Sequence, residues 1–249
     1  MSAPEGDGQR WLVTGATSGI GAAVTSLARE RGAMVWALDI NDQAGAALEQ
    51  DTGASYVHCD VSSESRWQEV AASISSTPPT HVHLNAGIQI APPSAPLSAY
   101  TLEAATTENY RRMMGVNVDG VVFGLRALLP ILQPGAHIVV TASLAGITPY
   151  DVDPLYAMSK HAVVGLVRSI APALKARQIT INALCPGGID TNIIPEAQRT
   201  EHARFMTPAC IAQEVMNLML TNETGKSWAK VAEAKPAFIV RAPGDRDGK

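Results

Sequence analysis

The sequence has few cysteines, and nothing in their arrangement predicts a disulfide framework or a metal site. Cys59, Cys185 and Cys210 are odd in number, widely separated and without CxxC spacing. We therefore expect free, buried thiols in a reducing cytoplasm. His81 and His83 alternate along a strand-like run, but no nearby cysteine or carboxylate completes a ligand set. We interpret both as strand residues and predict no metal site.

The sequence also lacks a basic run, a long apolar stretch and a secretory start. Its net charge of −4 gives little reason to expect a nucleic-acid or membrane partner. The longest apolar stretches are far shorter than the roughly 20 residues that span a membrane. Residues 1–9 have neither a positive start nor an apolar segment, so we expect no signal peptide. These absences predict a cytoplasmic protein that acts on a small molecule.

What the sequence does contain is a regular alternation of short apolar runs and helical patterns. The length of 249 residues suits one α/β domain with a large core. The alternation predicts a doubly wound parallel sheet of about seven strands in three αβα layers, a Rossmann fold. The predicted strands are Arg10–Thr14, Met34–Asp39, Ser55–Cys59, His81–Asn85, His137–Ala142, Thr180–Leu184 and Ala237–Val240. The predicted helices are Gly19–Arg31, Asp42–Asp51, Ser63–Ser75, Thr107–Leu129, Pro154–Ala176 and Pro208–Leu220.

No composition break divides this series, so residues 1–249 form one predicted domain with flexible termini at 1–9 and 244–249. Segment 88–105 contains several prolines and is either a surface excursion or a wall of the active site. Segment 192–206 is a predicted lid over the substrate. Pro172 lies inside the predicted helix Pro154–Ala176 and should bend that helix or end it early.

The first predicted strand leads into the glycine-rich turn TGATSGIG at residues 14–21, and then into a helix. Glycines let the backbone approach a pyrophosphate, and the helix start favours its negative charge. This turn contains no Gly-Lys-Ser/Thr sequence, which argues against a nucleotide triphosphatase. The predicted cofactor-binding residues of this turn are Gly15, Thr17, Ser18, Gly19, Ile20 and Gly21.

Asp39 ends the second predicted strand, and Ile40 follows it. A carboxylate at this place can bind an adenosine ribose and would repel a 2′-phosphate. No Arg or Lys lies in residues 16–20 or 40–43 to attract that phosphate. The sequence therefore favours NAD over NADP, while a helix cap or a solvated loop acid is the alternative role for Asp39.

Each later strand also ends in small or polar residues. Ligands of open parallel sheets bind at the carboxyl ends of the strands, so these residues predict a site at that edge. The residues are Asp60, Val61, Asn85, Ala86, Gly87, Ser143, Pro186 and Gly187.

Tyr156 and Lys160 lie four residues apart in a predicted helix, so they share one face. A cation beside a phenol favours the phenolate, and we expect Lys160 to lower the pKa of Tyr156 from about 10. Such a phenol can transfer protons near neutral pH. The alternative is a chance pair on a solvated helix.

Two further polar residues complete the candidate site. Ser143 could hold a substrate oxygen beside the phenol, and no nucleophile elbow or suitably placed histidine suggests a hydrolase. Asn117 interrupts an otherwise apolar helix. It is either a satisfied buried amide or a residue that positions a water, which passes protons to Lys160.

These motifs together resemble the short-chain dehydrogenase/reductase family from Arg10 to about Val240. The matching pieces are TGATSGIG at 14–21, Asp39, DV at 60–61, NAG at 85–87, Asn117, Ser143, YAMSK at 156–160 and PGGIDT at 186–191. The resemblance implies a catalytic set of Asn117, Ser143, Tyr156 and Lys160 that acts with a nicotinamide cofactor.

The resemblance also implies further cofactor contacts. Asp60 and Val61 would lie near the adenine, residues 85–87 along the ribose, and Ile189 and Thr191 near the carboxamide. Leu84 departs from the family pattern, where a second asparagine is frequent, and the interval from Asn85 to Asn117 is longer than usual. Residues 143–146, 159–169 and 225–231 look closest to the hydroxyprostaglandin-dehydrogenase-like branch.

The expected activity is reversible oxidation of a secondary alcohol to a ketone with NAD. The alternatives are an NADPH-dependent ketoreductase and a catalytically silent NAD-binding scaffold or sensor. We expect an apolar substrate pocket with a polar contact at its mouth, and in the family long helices pair between subunits, which implies a homotetramer or, second, a dimer. The predicted substrate-contact residues are Gln89, Leu144, Ala145, Ile147, Tyr150, Asp153, Ile193, Ile194, Phe205 and Met206. For Phe205 and Met206, ordinary core packing is the alternative.

Overall fold

A computed structural model describes residues 8–201 and 203–242. Eight strands and seven α-helices alternate along these residues. The strands are β1 (Arg10–Thr14), β2 (Met34–Asp39), β3 (Ser55–His58), β4 (His81–Leu84), β5 (His137–Thr141), β6 (Thr180–Pro186), β7 (Ser227–Lys230) and β8 (Phe238–Val240). The helices are α1 (Gly19–Glu30), α2 (Asp42–Thr52), α3 (Glu64–Ile74), α4 (Thr107–Met114), α5 (Gly120–Leu128), α6 (Pro154–Ala176) and α7 (Pro208–Met219).

The strands form a single sheet in the order β3-β2-β1-β4-β5-β6-β7-β8. All neighbouring pairs are parallel except β7 and β8. The chain builds outward from β1 to β3 and then crosses to β4 on the other side of β1. This change of direction opens a crevice at the carboxyl ends of β1 and β4, where such sheets bind ligands.

Two apolar clusters cover the two faces of the sheet. One cluster combines side chains of α3, α5 and α6 with the sheet, and the other combines those of α1 and α7. Because both faces of the sheet are covered, the central strands are buried along nearly their whole length, as in β6, rather than at alternate residues. The predicted three-layer, doubly wound fold is confirmed, with eight strands instead of about seven because β7 was not predicted.

Side-chain caps fix where several helices begin. Asn41, Ser63, Thr106, Asp153 and Thr207 each accept a hydrogen bond from a backbone amide of the first helical turn. Such caps satisfy amides that have no partner within the helix. They place the start of each helix at the edge of the sheet where the crevice opens.

The predicted helix 107–129 is divided in the structure. A π-helical segment, Gly115–Asp119, separates α4 from α5. Gly120 lies so close to Val61 that a β-carbon there would approach its side chain to 2.9 Å. In contrast, α6 continues through Pro172 to Ala176, so the predicted early end is wrong. Because Ala171 and Leu174 remain buried against the sheet, packing maintains this helix despite the lost hydrogen bond.

The predictions about the cysteines have a mixed outcome. Cys59 and Cys185 are free and buried, but Cys210 is only partly buried because it lies in the exposed first turn of α7. His81 and His83 are buried strand residues, and the described part of the chain contains no cluster of three potential metal ligands. None of its helices has the length and hydropathy to cross a membrane. Of the predicted flexible termini, residues 1–7 and 244–249 lie outside the described residues.

Candidate active site

A cavity of about 600 Å³ lies beyond the carboxyl ends of the central strands. It brings together most of the residues that the sequence predicted for the site. The predicted cofactor and catalytic residues that line it are Gly15, Ser18, Gly19, Ile20, Asn85, Ala86, Gly87, Ser143, Tyr156, Lys160, Pro186, Gly187, Ile189 and Thr191. The predicted residues outside its lining are Thr17, Gly21, Asp39, Ile40, Asp60, Val61 and Asn117.

Asp39 holds the glycine turn against the end of β2. Its Oδ2 accepts a hydrogen bond from the Thr17 amide at 3.0 Å. Its Oδ1 accepts from the amides of Ile40 and Asn41 at 2.8 and 3.2 Å. The cap of α2 is Asn41, so the alternative of Asp39 as a helix cap is wrong. The carboxylate is thus fixed in place at the edge of the site.

The other predicted residues outside the cavity have structural contacts. A β-carbon on Gly21 would overlap the carbonyl oxygen of Gly15, so only glycine lets α1 begin this close to the turn. Asp60 Oδ1 accepts hydrogen bonds from the amide and the hydroxyl of Ser62 at 2.9 and 2.7 Å. Val61 is buried, and its carbonyl accepts from Trp67 Nε1. The predicted adenine contacts of residues 60 and 61 stay predictions.

A chain of hydrogen bonds joins the ends of β1, β4 and β5. The Thr14 hydroxyl accepts from the amides of Asn85 and Ala86. The Thr141 hydroxyl donates to Asn85 Oδ1 at 3.1 Å, and His83 Nε2 lies 2.8 Å from that hydroxyl. Because the Thr141 proton points to Asn85, His83 must donate from Nε2. These contacts fix Asn85 at the cavity edge.

Sequence reasoning did not predict that His83 takes part in these hydrogen bonds. Burial lowers the pKa of His83 to about 3, so the ring is neutral and its buried Nδ1 has no protein partner in the described structure. The alternation along β4 predicted a strand residue. It gave no signal of the Thr141 hydroxyl, which lies on a different strand.

Tyr156 and Lys160 lie on the first turns of α6, and both line the cavity. The Lys160 Nζ is 5.6 Å from the centre of the Tyr156 ring and donates to the Thr141 carbonyl at 3.0 Å. Both side chains are buried, at 8% and 2% exposure respectively. The alternative of a chance pair on a solvated helix is therefore wrong.

The pKa values differ from the expectation for this pair. Burial raises the pKa of Tyr156, while a hydrogen bond with Ser143 acts in the opposite direction. Burial lowers the pKa of Lys160 to about 8. The pKa of Tyr156 is therefore raised and not lowered as expected, because removal of the phenol from water is the largest effect on it.

Asn117 is fully buried on the π-helical segment and satisfies its side-chain amide within the protein. Its Oδ1 accepts from the Ile88 amide, and its Nδ2 donates to the Ile88 carbonyl, each at 2.8 Å. Nδ2 also donates to Ser159 Oγ at 3.0 Å. A β-carbon on Gly87 would lie 3.4 Å from Asn117 Oδ1 and 3.2 Å from the Lys160 Nζ. The satisfied buried amide is the alternative that the structure shows, and it fixes the start of segment 88–105.

Segment 88–105 forms a wall of the cavity, which decides between its two predicted roles. Its residues Ile88, Gln89, Ala91, Pro92 and Pro93 line the cavity. Gln89 Nε2 donates to the Ile193 carbonyl at 2.9 Å, while its buried Oε1 has no partner among the described residues.

Asp153 does not lie at the mouth of the cavity as predicted. It is fully buried, caps α6 through the Tyr156 amide, and accepts from the Ile90 amide at 2.9 Å. Ile147 packs into the core rather than the cavity, so that prediction is also wrong. Leu144, Ala145 and Tyr150 do line the cavity.

Two aromatic rings and the predicted lid segment close the far side of the cavity. The rings of Tyr150 and Tyr156 meet edge to face at 6.2 Å between centres. The Tyr150 hydroxyl donates to Gln198 Oε1 at 3.2 Å, which ties it to segment 192–206. The residues of that segment that line the cavity are Asn192, Ile193, Ile194, Gln198 and Phe205. Met206 packs in the core and pairs with Ile189, so its predicted cavity contact is wrong.

The residues present fit a dinucleotide with a pyrophosphate. Gly15 and Gly19 have positive φ angles of 62° and 50°, and a β-carbon on Gly19 would lie 2.9 Å from Thr191. The cap residue of α1, Ser18, makes no side-chain hydrogen bond to the first turn. Amides at the start of α1 therefore remain available to an anion.

Comparisons with known proteins agree with this geometry. A family model described as enoyl-(acyl carrier protein) reductase matches residues 15–231. A 2,5-dichloro-2,5-cyclohexadiene-1,4-diol dehydrogenase of Sphingobium indicum is 34% identical, over 76% of each chain. A 3beta-hydroxysteroid dehydrogenase of Mediterraneibacter gnavus is 31% identical, over 86% of this chain and 79% of its own. A (+)-borneol dehydrogenase 1 of Salvia officinalis is 32% identical, over 78% and 75%.

Solved structures show the same fold. A short-chain dehydrogenase/reductase from Brucella melitensis, described as a glucose/ribitol dehydrogenase, superposes with a TM-score of 0.82 at 24% identity, over 90% of this chain and 95% of its own. A dehydrogenase/reductase from Sinorhizobium meliloti 1021 gives 0.76 at 26%, over 90% and 94%. The similarity to the hydroxyprostaglandin-dehydrogenase-like branch stays a prediction. The chain is an oxidoreductase that belongs to the short-chain dehydrogenase/reductase family, whose members bind nicotinamide dinucleotides.

Proposed function

We propose that the protein is an NAD-dependent oxidoreductase that interconverts a secondary alcohol and a ketone. The observation that carries this proposal is the placement of Ser143, Tyr156 and Lys160 on one cavity wall, beside the glycine turn. The relatives named above act, by their names, on ring-bearing alcohols. The apolar walls of the cavity suit such a substrate, so we propose an alicyclic or similarly apolar alcohol.

In this reaction Tyr156 takes the proton of the substrate hydroxyl at its phenol oxygen. Ser143 Oγ holds the substrate oxygen beside that phenol. A bound nicotinamide would supply the acceptor for the hydride of the alcohol carbon. Since burial raises the pKa of Tyr156, the phenolate depends on nearby positive charge, which Lys160 and the oxidised nicotinamide would supply. Proton transfer of this kind contributes roughly 10²–10⁴-fold to a rate.

The remaining predicted residues would hold the dinucleotide or shape its site. The glycine turn, residues 15–21, would bind the phosphates, and residues 60–61, 85–87 and 186–191 would lie along the rest of the molecule. Lys160 would also bind the nicotinamide ribose. Asn117 would act by fixing Ile88, because its side-chain amide is already bonded within the protein.

Asp39 favours NAD over NADP because its fixed carboxylate would repel a 2′-phosphate. We expect NADH to bind at least about tenfold more tightly than NADPH. Fluorescence titration of the purified protein with both reduced dinucleotides measures this difference. Tighter binding of NADPH would favour an NADPH-dependent ketoreductase instead.

Replacement of Tyr156 tests the proposed chemistry. We expect Tyr156→Phe to lower kcat for alcohol oxidation by about 10²–10⁴-fold, because only the proton acceptor is lost, while NADH affinity stays within about twofold. The measurement is NADH production from a panel of cyclic secondary alcohols. Tyr150→Phe is the matched control, since it removes a neighbouring hydroxyl and should retain most activity.

Near-normal turnover of Tyr156→Phe would remove this residue from the mechanism. A native protein that binds NADH but oxidises no alcohol and reduces no ketone would favour the silent scaffold instead. We also propose a cytoplasmic location, which the free buried thiols Cys59 and Cys185 support.

A further inference from the structure

The cavity is lined by charge of one sign only. Within the described part of the chain, its charged lining residues are Arg112 and Lys160, and no Asp or Glu lines it. The whole chain, by contrast, has 23 acidic residues and a net charge of −4. A cleft lined by one sign of charge concentrates ligands of the opposite sign. The cavity therefore favours an anion in an otherwise acidic protein.

The two cations differ in what they can offer a ligand. Lys160 is enclosed, and its ammonium already donates to the Thr141 carbonyl. Arg112 is exposed on α4, and its guanidinium forms no hydrogen bond or ion pair with any described residue. Arg112 is thus the cation that can turn all its donors toward a bound molecule.

The position of Arg112 points to the substrate rather than to the phosphates of a dinucleotide. The next residues on α4, Met113 and Met114, pack in an apolar cluster with Ile90 and Tyr156. Tyr156, the proposed proton acceptor, is itself a member of this cluster. The phosphates are expected at the glycine turn before α1, where the free amides lie.

We propose that the substrate carries a carboxylate away from its reacting hydroxyl, and that Arg112 binds this carboxylate. This inference rests on the proposed alcohol oxidation. A guanidinium presents a planar fork of donors that matches a carboxylate with two parallel hydrogen bonds. The substrate class is then a hydroxy acid with an apolar body, which none of the named relatives' substrates indicates.

A pair of substrates with one skeleton tests the proposal. We compare kcat/KM for 3-hydroxycyclohexane-1-carboxylate and for the neutral 3-hydroxycyclohexane-1-carboxamide at saturating NAD⁺. The native protein should favour the carboxylate by about tenfold, the usual range for a charge-assisted hydrogen bond. Arg112→Gln should lower kcat/KM for the carboxylate to that of the carboxamide and leave the carboxamide unchanged.

Arg111→Gln is the matched control, because Arg111 is the adjacent arginine on α4 and does not line the cavity. It should keep the preference for the carboxylate. If the native protein oxidised both compounds with equal kcat/KM, the inference would be overturned. That result would still support alcohol oxidation. An equal loss in both arginine variants would also overturn it, since a general surface field would then explain the effect.

Binding measurements separate this inference from the proposed function. Calorimetric titration with cyclohexanecarboxylate and cyclohexanecarboxamide, with and without NADH, needs no turnover. Tighter binding of the carboxylate that Arg112→Gln abolishes would support the inference even if no alcohol is oxidised. Equal binding would overturn it. A loss of NADH affinity in Arg112→Gln, with the substrate preference unchanged, would assign Arg112 to the cofactor phosphates and also overturn it.

Discussion

Both carboxylate oxygens of Asp39 bind backbone amides, and this determines what a substitution would do. We expect Asp39→Asn to lower NADH affinity by about tenfold, because an amide group would present N–H donors to the amide of Thr17 or Ile40. The loss of negative charge should also reduce the preference of the protein for NADH over NADPH. Titration with both reduced dinucleotides measures both effects.

Asp42→Asn provides the control for Asp39. Asp42 is a nearby exposed acid whose carboxylate bonds the side chains of Tyr56 and His58. We expect the NADH affinity of Asp42→Asn, and its preference for NADH over NADPH, to match those of the native protein. If Asp39→Asn behaved in the same way, Asp39 would not determine the choice of dinucleotide.

At the scale of residues, spacing along the sequence predicted which groups meet but not their electrostatics. Tyr156 and Lys160 share a helix face by periodicity alone. Their pKa values depend on burial, which arises only when α6 packs beside the cavity. Arg112 was not predicted, because its contact with the cavity depends on how α4 packs beside it. No local pattern encodes such contacts between distant segments.

At the scale of elements, two glycine-to-alanine substitutions should have opposite effects. Gly21→Ala forces a methyl group into the carbonyl of Gly15 at the start of α1. We expect it to destabilise the protein by about 1–3 kcal/mol and to weaken NADH binding. Thermal unfolding and NADH titration measure the two effects.

Gly165→Ala is the matched control for this substitution. Gly165 lies inside α6, and a β-carbon there would meet nothing within 4 Å. Alanine should stabilise an exposed helix position of this kind by up to about 1 kcal/mol. A stable Gly21→Ala protein with native NADH affinity would contradict the close contact between α1 and the turn.

The two elements that sequence reasoning missed are the π-helical segment Gly115–Asp119 and strand β7, and both depend on contacts with residues distant in the sequence. Residues 107–129 have a continuous helical pattern, and the one-residue widening at Gly115–Asp119 does not disturb it enough to be seen. In the structure, the side-chain hydrogen bonds of Asn117 to Ile88 and Ser159 accompany that widening. Strand β7 has the sequence Ser-Trp-Ala-Lys, which has no β-branched residue, and it is defined by pairing with β6. Strands of this kind depend on their neighbours more than on propensity.

At the scale of the whole molecule, three histidines should make the protein sensitive to acid. Burial lowers the pKa of His81 to about 4 and that of His83 to about 3, and it also lowers that of His137. The unfolded chain therefore binds more protons than the native protein below about pH 6.5. Stability is lost as pH falls through this window, with a slope of up to about 1.4 kcal/mol per pH unit for each group.

Urea denaturation at several pH values between neutral and moderately acidic measures this slope. His137→Gln should reduce this slope, because one of the three rings with a lowered pKa is removed. His58→Gln is the control, since the His58 side chain is 49% exposed. Stability that is independent of pH in this window would contradict the lowered pKa values of these rings.

We also propose a homotetramer, with a dimer as the second possibility. Val163 and Val167 of α6 are buried in the core, while Leu166 and Ile170 remain only partly covered by the chain itself. Copies of the chain could cover these apolar groups. Light scattering should then give about four times the chain mass of 26.2 kDa. A monomer mass at micromolar protein would contradict this proposal.

The pairing of Ile189 with Met206, an isolated bridge outside the strands of the sheet, brings the two ends of the intervening segment side by side. Changes in the length of a loop with adjoining ends cost little conformational entropy, roughly 0.6 kcal/mol for each doubling. A segment of different length or sequence between Ile189 and Met206 would therefore leave Ser143, Tyr156 and Lys160 in place. The segment that contacts the substrate can therefore change in length and sequence independently of the residues that transfer the proton.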